Sequence, residues 1–153
     1  MTASVPPTAQ DRQVDPRGVR FGAAVTLLFA LIAVLAGNTA VGLIATAVLV
    51  VLFLPGAFIG PQATVQSFLF TRLVRPRLDA PTETESFRPP RFAQQMGLGM
   101  SAAALILGLI GGGGGFYFFI AMVVIASFLN AVFNFCMGCE LYLAFKRATT
   151  RAA

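Results

Sequence analysis

The stretch FGAAVTLLFALIAVLAGNTAVGLIATAVLVVLFLPGAF, residues 21–58, contains no charged side chain, and the uncharged run continues to Thr71. An α-helix needs about 20 residues to cross a bilayer core of roughly 30 Å. This run is too long for one crossing and suits two. Gly37-Asn38 lies near its middle, and both residue types tolerate positive φ and end helices. Spans are therefore expected near 21–36 and 40–60. A second uncharged run extends from Phe92 to Cys139, broken by Gly111 to Gly115, and predicts spans near 93–110 and 116–138. Lipid cannot satisfy open backbone groups, so the segments must be helices. The period-two alternation of a membrane barrel is absent. The expected fold class is all-α: a polytopic membrane protein with four transmembrane helices arranged as two helical hairpins.

Composition agrees with this. Of 153 residues, 57% are hydrophobic and 11% charged, against about 25% charged in soluble domains. Too few charges remain to coat a soluble globule. The net charge of +5 does not indicate nucleic acid, because no basic stripe is interleaved with aromatics. Instead the basic residues fall in three segments outside the apolar runs: Arg12 to Arg20, Arg72 to Arg91, and Lys146 to Arg151. Neither hairpin tip carries one. The positive-inside bias then places both termini and the 61–92 loop on the cytoplasmic face of an inner (plasma) membrane. A cleaved signal peptide ending near Val34-Leu35-Ala36 competes for the first span, but Asp11 and Asp15 in the leader disfavour it. Residues 1–14 are expected to be disordered, 15–147 to form the four-helix domain, and 148–153 to be a cytoplasmic tail.

Asp15-Pro16 has the form of a helix start, with Asp capping and Pro in the first turn. In the loop, Val65 to Val74 is apolar apart from Arg72 and predicts a helical extension of the second span or an interfacial stretch, stopped by Pro76. Asp79 to Pro90 contains three prolines and predicts an exposed connector. The pairs Gly18 with Gly22 and Gly56 with Gly60 would permit close helix contact. The phrases around Pro16 to Ala23 and Arg88 to Ala93 suggest a parallel repeat, although any helix starting at the inner face favours Pro and Arg. The arginines set topology, with binding of an anion or acidic lipid heads as the alternative. Gly111 to Gly115 lacks the Lys-Ser/Thr of a phosphate loop and predicts only a turn.

Chemistry concentrates in NFCMGCELY, residues 134–142. Cys136 and Cys139 are the only cysteines. On a continuous helix they share one face with Glu140 a turn from Cys136. Three readings stand side by side: a redox pair, half of a metal site completed by another chain, and two small soft residues packed at a helix end. There is no His, so one chain supplies too few ligands, and neither a metal nor a cofactor is expected. A continuous helix through Gly138 would set the pair near a negative C-terminal end beside Glu140, which favours the neutral thiol. Slow-reacting thiols, reduced in the cell, are the expectation. Ser127, Asn130 and Asn134 form an intramembrane polar stripe at spacings three and four. On that helix the stripe lies opposite the cysteines and faces the bundle as helix glue, or else lines a polar path.

The phrases DPRGVRF (15–21), RLVRPRL (72–78), RPPRFAQ (88–94) and CMGCELY (136–142) together resemble the small bacterial membrane proteins grouped as domain of unknown function 4395. The resemblance covers Val14 to Arg147. It implies four spans and a partner among thioredoxin-like or sulfurtransferase proteins, and it brings Cys136, Gly138, Cys139 and Glu140 forward without assigning them a role. The leading expectation is thiol or sulfane-sulfur handling at the cytoplasmic membrane face. The alternatives are a non-enzymatic membrane subunit or assembly factor, and a small sulfur-anion transporter acting as a dimer, a homo-oligomer of this chain. Whether the chain is an enzyme is left open, with the balance toward no.

Overall fold

The computed structural model describes residues 13–151 except residue 83. Most of the expected disordered N-terminus, and the last two residues of the expected tail, lie outside the described residues. The elements in chain order are β1 (Gln13–Val14), α1 (Pro16–Ala36), α2 (Ala40–Phe58), α3 (Val65–Leu69), β2 (Glu85–Ser86), α4 (Arg88–Leu109), α5 (Gly113–Phe133) and α6 (Met137–Arg151). The chain is a multi-pass membrane protein: α1, α2, α4 and α5 are each long and apolar enough to cross a bilayer. They form two hairpins. α1 packs on α2 and α5, and α4 packs on α2 and α5, which closes a four-helix ring.

Size sorting inside the ring is the reverse of a soluble core. Ala30, Ala33, Ala104, Thr46 and Ser101 are fully buried beside Leu49, Phe116 and Ile120. Leu35, Ile44, Val51, Ile106, Leu109 and Phe118 point outward and are exposed. Small residues inside let helix backbones approach, and large apolar residues outside meet lipid. Between Gly97 and Phe53 the approach is close enough that a β-carbon at 97 would stand 2.5 Å from the Phe53 ring.

At one end of the ring lie the two tight tips. Gly37, at φ 65°, closes α1, and Thr39 caps α2 by accepting from the Gly42 N–H at 3.4 Å. At the second tip the turn is shorter than the glycine run suggests. Only Gly111 takes positive φ, while Gly113 to Gly115 open α5. With few other donors or acceptors inside lipid, helical bonding satisfies those backbone groups best.

The opposite end carries the loop and every described Lys and Arg. α2 stops at Phe58, and a turn over Pro61–Ala63 leads into α3. The helical path then continues through Phe70–Val74, and Pro76 lies in its last turn at Arg75–Arg77. This segment folds back onto α1, burying Gln66 and Phe70. Gly18 and Gly22 thus receive the loop helix: a β-carbon at 18 would meet the Phe70 ring at 3.2 Å, and one at 22 the Gln66 side chain at 3.6 Å. Sequence extends the disordered tail to residue 14, but Gln13 and Val14 pair antiparallel with Ser86 and Glu85. Val14 is buried, and the Thr84 hydroxyl bonds the Gln13 side chain. The connector is therefore held at both edges. At the other terminus, α6 remains helical to Arg151, so most of the expected 148–153 tail is ordered.

Arginines here do more than mark a side. The Arg91 guanidinium donates to the carbonyls of Ala57 (3.3 Å) and Phe58 (3.1 Å), and the Gln95 amide donates to Ala57 (3.1 Å). Arg20 donates to the Ala131 carbonyl at 3.2 Å. These are the last carbonyls of α2 and α5, which no helical N–H reaches. At the start of α1, Asp15 accepts from the Arg17 N–H at 2.9 Å and pairs with the Arg17 guanidinium at 3.0 Å. Partial burial pushes the Asp15 carboxyl upward, but the Arg17 hydrogen bonds and charge outweigh it and hold the carboxyl below its ordinary value.

Asp15→Ala should cost about 1 kcal/mol of stability in detergent near pH 7, the usual loss for a helix cap. Because the folded carboxyl is depressed, its contribution is present above the unfolded value of about 3.9 and is lost as pH falls through the folded value. The gap between variant and parent, measured by denaturant titration, should narrow below about pH 4.

Candidate functional site

The site is built where the fourth crossing ends. Asn134 takes the left-handed conformation (φ 55°, ψ 31°) and terminates α5. The N–H groups of Asn134 and Phe135 both turn back to the Leu129 carbonyl, Phe135 at 3.1 Å. Asn is among the few non-glycine residues that enter this conformation readily. The chain then restarts as α6 at Met137. The expected single helix over 116–138, continuous through Gly138, is thus corrected. α5 stops at Phe133, and the cysteines begin a new helix instead of ending an old one.

Cys136 occupies the capping position of α6. Its carbonyl accepts from the Glu140 N–H at 3.0 Å, and its Sγ accepts from the Cys139 N–H at 3.2 Å. A sulfur fills the place usually taken by a Ser, Thr or Asp oxygen. The positive end of the helix is therefore at the cysteines, and Glu140 lies in the first turn where an acid is favoured. The helix field thus runs opposite to that of a continuous helix, while the Glu140 carboxylate still opposes a thiolate beside it. The two sulfurs are joined in a disulfide, with Cα atoms 5.1 Å apart, where sequence alone predicts free thiols.

Gly138 explains the small residue between the cysteines. A β-carbon there would stand 2.6 Å from both Cα and Cβ of Ala93 on α4. α6 can lie on α4 only because that carbon is missing. Tyr142, one turn on, packs its ring 5.8 Å from Phe92 of the same helix. The outer side of α6 carries exposed Leu141 and Phe145 near Lys146 and Arg147, the composition of a helix lying in a membrane interface.

Two cavities meet at the disulfide. The outer one, about 310 Å³, is lined by Cys136, Cys139, Glu140, Asn130 and Asn134, with Ser86 and Pro89 across from them. The inner one, about 140 Å³, lies among α1, α4, α5 and α6, with Phe53 of α2 completing its wall. Cys136 lines both, and Cys139 lines only the outer. Ending α5 at Asn134 swings the cysteines round, so the polar stripe and the cysteines share walls and do not face opposite ways. The stripe itself divides. Ser127 is buried and donates to the Val123 carbonyl of its own helix at 2.6 Å, so it glues no neighbour. Asn130 is half-buried between the cavities, and Asn134 is exposed at the helix end. Among the described residues, no three His, Cys, Asp or Glu side chains converge to hold a metal ion.

Gln94 and the methionines Met96, Met100, Met122 and Met137 also line the inner cavity, and sequence alone does not single them out. The Gln94 Oε1 is buried without a hydrogen-bond partner among the described residues. A buried amide one turn into an otherwise apolar crossing was the available signal.

A family model described as Domain of unknown function (DUF4395) matches residues 14–147, and the chain belongs to that family. Neither a curated protein nor a solved structure matches it.

After reduction, Cys136 should alkylate faster than an ordinary exposed thiol at about pH 6.5, because the N-terminus of α6 favours its thiolate. Iodoacetamide labelling of the Cys139→Ser variant in detergent measures this; a rate no higher than that of a free cysteine peptide counts against the capping geometry. Gly138→Ala should lower stability by about 1–3 kcal/mol, as overpacking does, and should slow that labelling as α6 lifts from Ala93.

Proposed function

We propose that this family member exchanges thiols or sulfane sulfur with a soluble protein at the cytoplasmic face of the inner membrane, through Cys136 and Cys139. The carrying observation is the disulfide at the start of α6, opening on a polar cavity. A reactive pair needs two sulfurs within bridging distance and a local positive field that stabilises one as thiolate. The capping position supplies that field at Cys136.

The exchange balances as follows. A thiolate of the partner attacks Cys139 Sγ through the outer cavity. The bond between the cysteines breaks, and Cys136 leaves as the thiolate held by the α6 N-terminus. A second thiol of the partner attacks the mixed disulfide, releasing Cys139 and an oxidised partner. Glu140, on the same cavity wall, accepts or returns the Cys139 proton. A thioredoxin-like protein with two thiols fits this sequence. A sulfurtransferase carrying a persulfide would meet Cys139 on the same outer wall.

Orientation supports a cytosolic partner. All 11 Lys and Arg lie outside the tip end, and positive-inside bias assigns that populated side, with both termini, to the cytoplasm. Reporter insertions at Asn38 and Gly113 should then read outside, and those at Ala80 and Ala153 inside; an outside signal at Ala153 reverses the assignment. With oxidised thioredoxin as the probe, Cys136→Ser should trap a mixed disulfide through Cys139, visible on a non-reducing gel and absent from the double Ser variant. No trapping, with unchanged behaviour of the double variant in cells, would instead favour a non-enzymatic subunit.

A further inference from the structure

The inner cavity has features that thiol exchange with a soluble protein does not use. We infer that it seats the ring of a lipid-soluble quinone, which exchanges two electrons with the Cys136–Cys139 pair. The inference rests on the thiol-exchange reading and names the other redox partner of the same cysteines.

Four observations converge on that chemistry. The first is size. The cavity of about 140 Å³ is close to the roughly 150 Å³ apolar cavity that stays dry and admits benzene. It has room for one six-membered ring and is open on one side, so a tail can extend out of it. The second is the wall. Phe53, Met96, Met100 and Met122 surround the space with apolar, polarisable groups, and methionine sulfur contacts aromatic rings favourably. The third is polar anchoring at defined points. The Asn130 amide and the Gln94 side chain lie in the wall, while Gln94 Oε1 itself is buried against α2, 2.7 Å from where a β-carbon on Gly56 would stand. A quinone carbonyl takes a hydrogen bond from an amide N–H, and a hydroquinone hydroxyl donates to an amide oxygen, so both redox forms find partners. The fourth is access to sulfur: Cys136 is part of the wall. The cavity lies among the membrane-crossing helices α1, α4 and α5, where a carrier with an apolar tail is dissolved and a soluble oxidant is not.

The disulfide thus stands between two compartments. On the outer side a protein thiol reaches Cys139. On the inner side Cys136 faces the ring. In the closing step the two thiols lose two electrons and two protons, and the bond between Cys136 Sγ and Cys139 Sγ forms. The quinone takes both electrons, and each of its carbonyl oxygens takes one proton to give the hydroquinone. The reverse reaction balances equally, and the relative potentials of quinone and partner set its direction.

The test uses the full chain in detergent, reduced, freed of reductant and mixed anaerobically with decylubiquinone. One quinone should be reduced per chain, read by its ultraviolet absorbance, as two thiols disappear from a maleimide mass-shift assay. The double Ser variant should give neither change. Ala126→Phe, which places a ring in the cavity, should slow the reaction by about tenfold or more, while Val51→Phe, on the outward face of α2, should leave it unchanged. An azidoquinone should photolabel peptides carrying Met100 or Met122, an arm that stands whether or not Ala126→Phe folds. If oxidised thioredoxin closes the pair and the quinone does not, the inference falls and thiol exchange stands. If neither closes it, both fall. Label spread over the lipid-facing side chains, or an Ala126→Phe variant as fast as the parent, also overturns the quinone site.

Discussion

Every backbone N–H and C=O that enters lipid must find its partner within the chain, and the ends of helices are where that requirement is hardest to meet. Much of this molecule answers it. Asp15 and Thr39 accept the first amides of α1 and α2. Arg20, Arg91 and Gln95 donate to the last carbonyls of α5 and α2. Asn134 bends the end of α5 back on itself. The final helix start has no such oxygen available, and the sulfur of Cys136 fills the gap. Cys136 is thus part of the same accounting that keeps the bundle closed. Its electrostatic setting follows from the position and needs no neighbouring cation.

The membrane architecture was legible because charge is a nearly binary signal in lipid. Two runs without Asp, Glu, Lys or Arg, each with a glycine near its middle, leave little room for another fold. The tips were legible as turns, though sequence overstated the second one: glycines that would fray a helix in water stay helical at Gly113 to Gly115, where few other partners exist. The pairing of Gln13–Val14 with Glu85–Ser86 was not legible, since two-residue ladders leave no periodicity.

The site was half legible. Cys136, Cys139 and Glu140 stood out as residue types, but their environment was inverted by one backbone angle at Asn134. The residues from Gly115 to Phe135 read as one apolar run, and a positive φ at an asparagine within it has no hydropathy signature. Asn beyond the last apolar turn is an accepted helix stop, outweighed here by the aromatic residues on either side. The inner cavity was not legible at all. Its wall is assembled from five helices, and nothing in the spacing of Met96, Met100 and Met122 separates cavity lining from ordinary core.

The close seat of α6 on α4 also bears on how the chain comes off the ribosome. The first hairpin can insert as soon as α2 is made, because α1 and α2 already pack on each other. The cysteines have no such early partner. Their helix rests on Ala93 through Gly138, and their cavity walls come from α1, α4 and α5, so no sulfur site exists until the last crossing has been threaded and folded back. A nascent chain stalled after its first hairpin therefore carries membrane anchors but no cysteine. Order of synthesis alone keeps the cysteine pair out of a half-inserted chain.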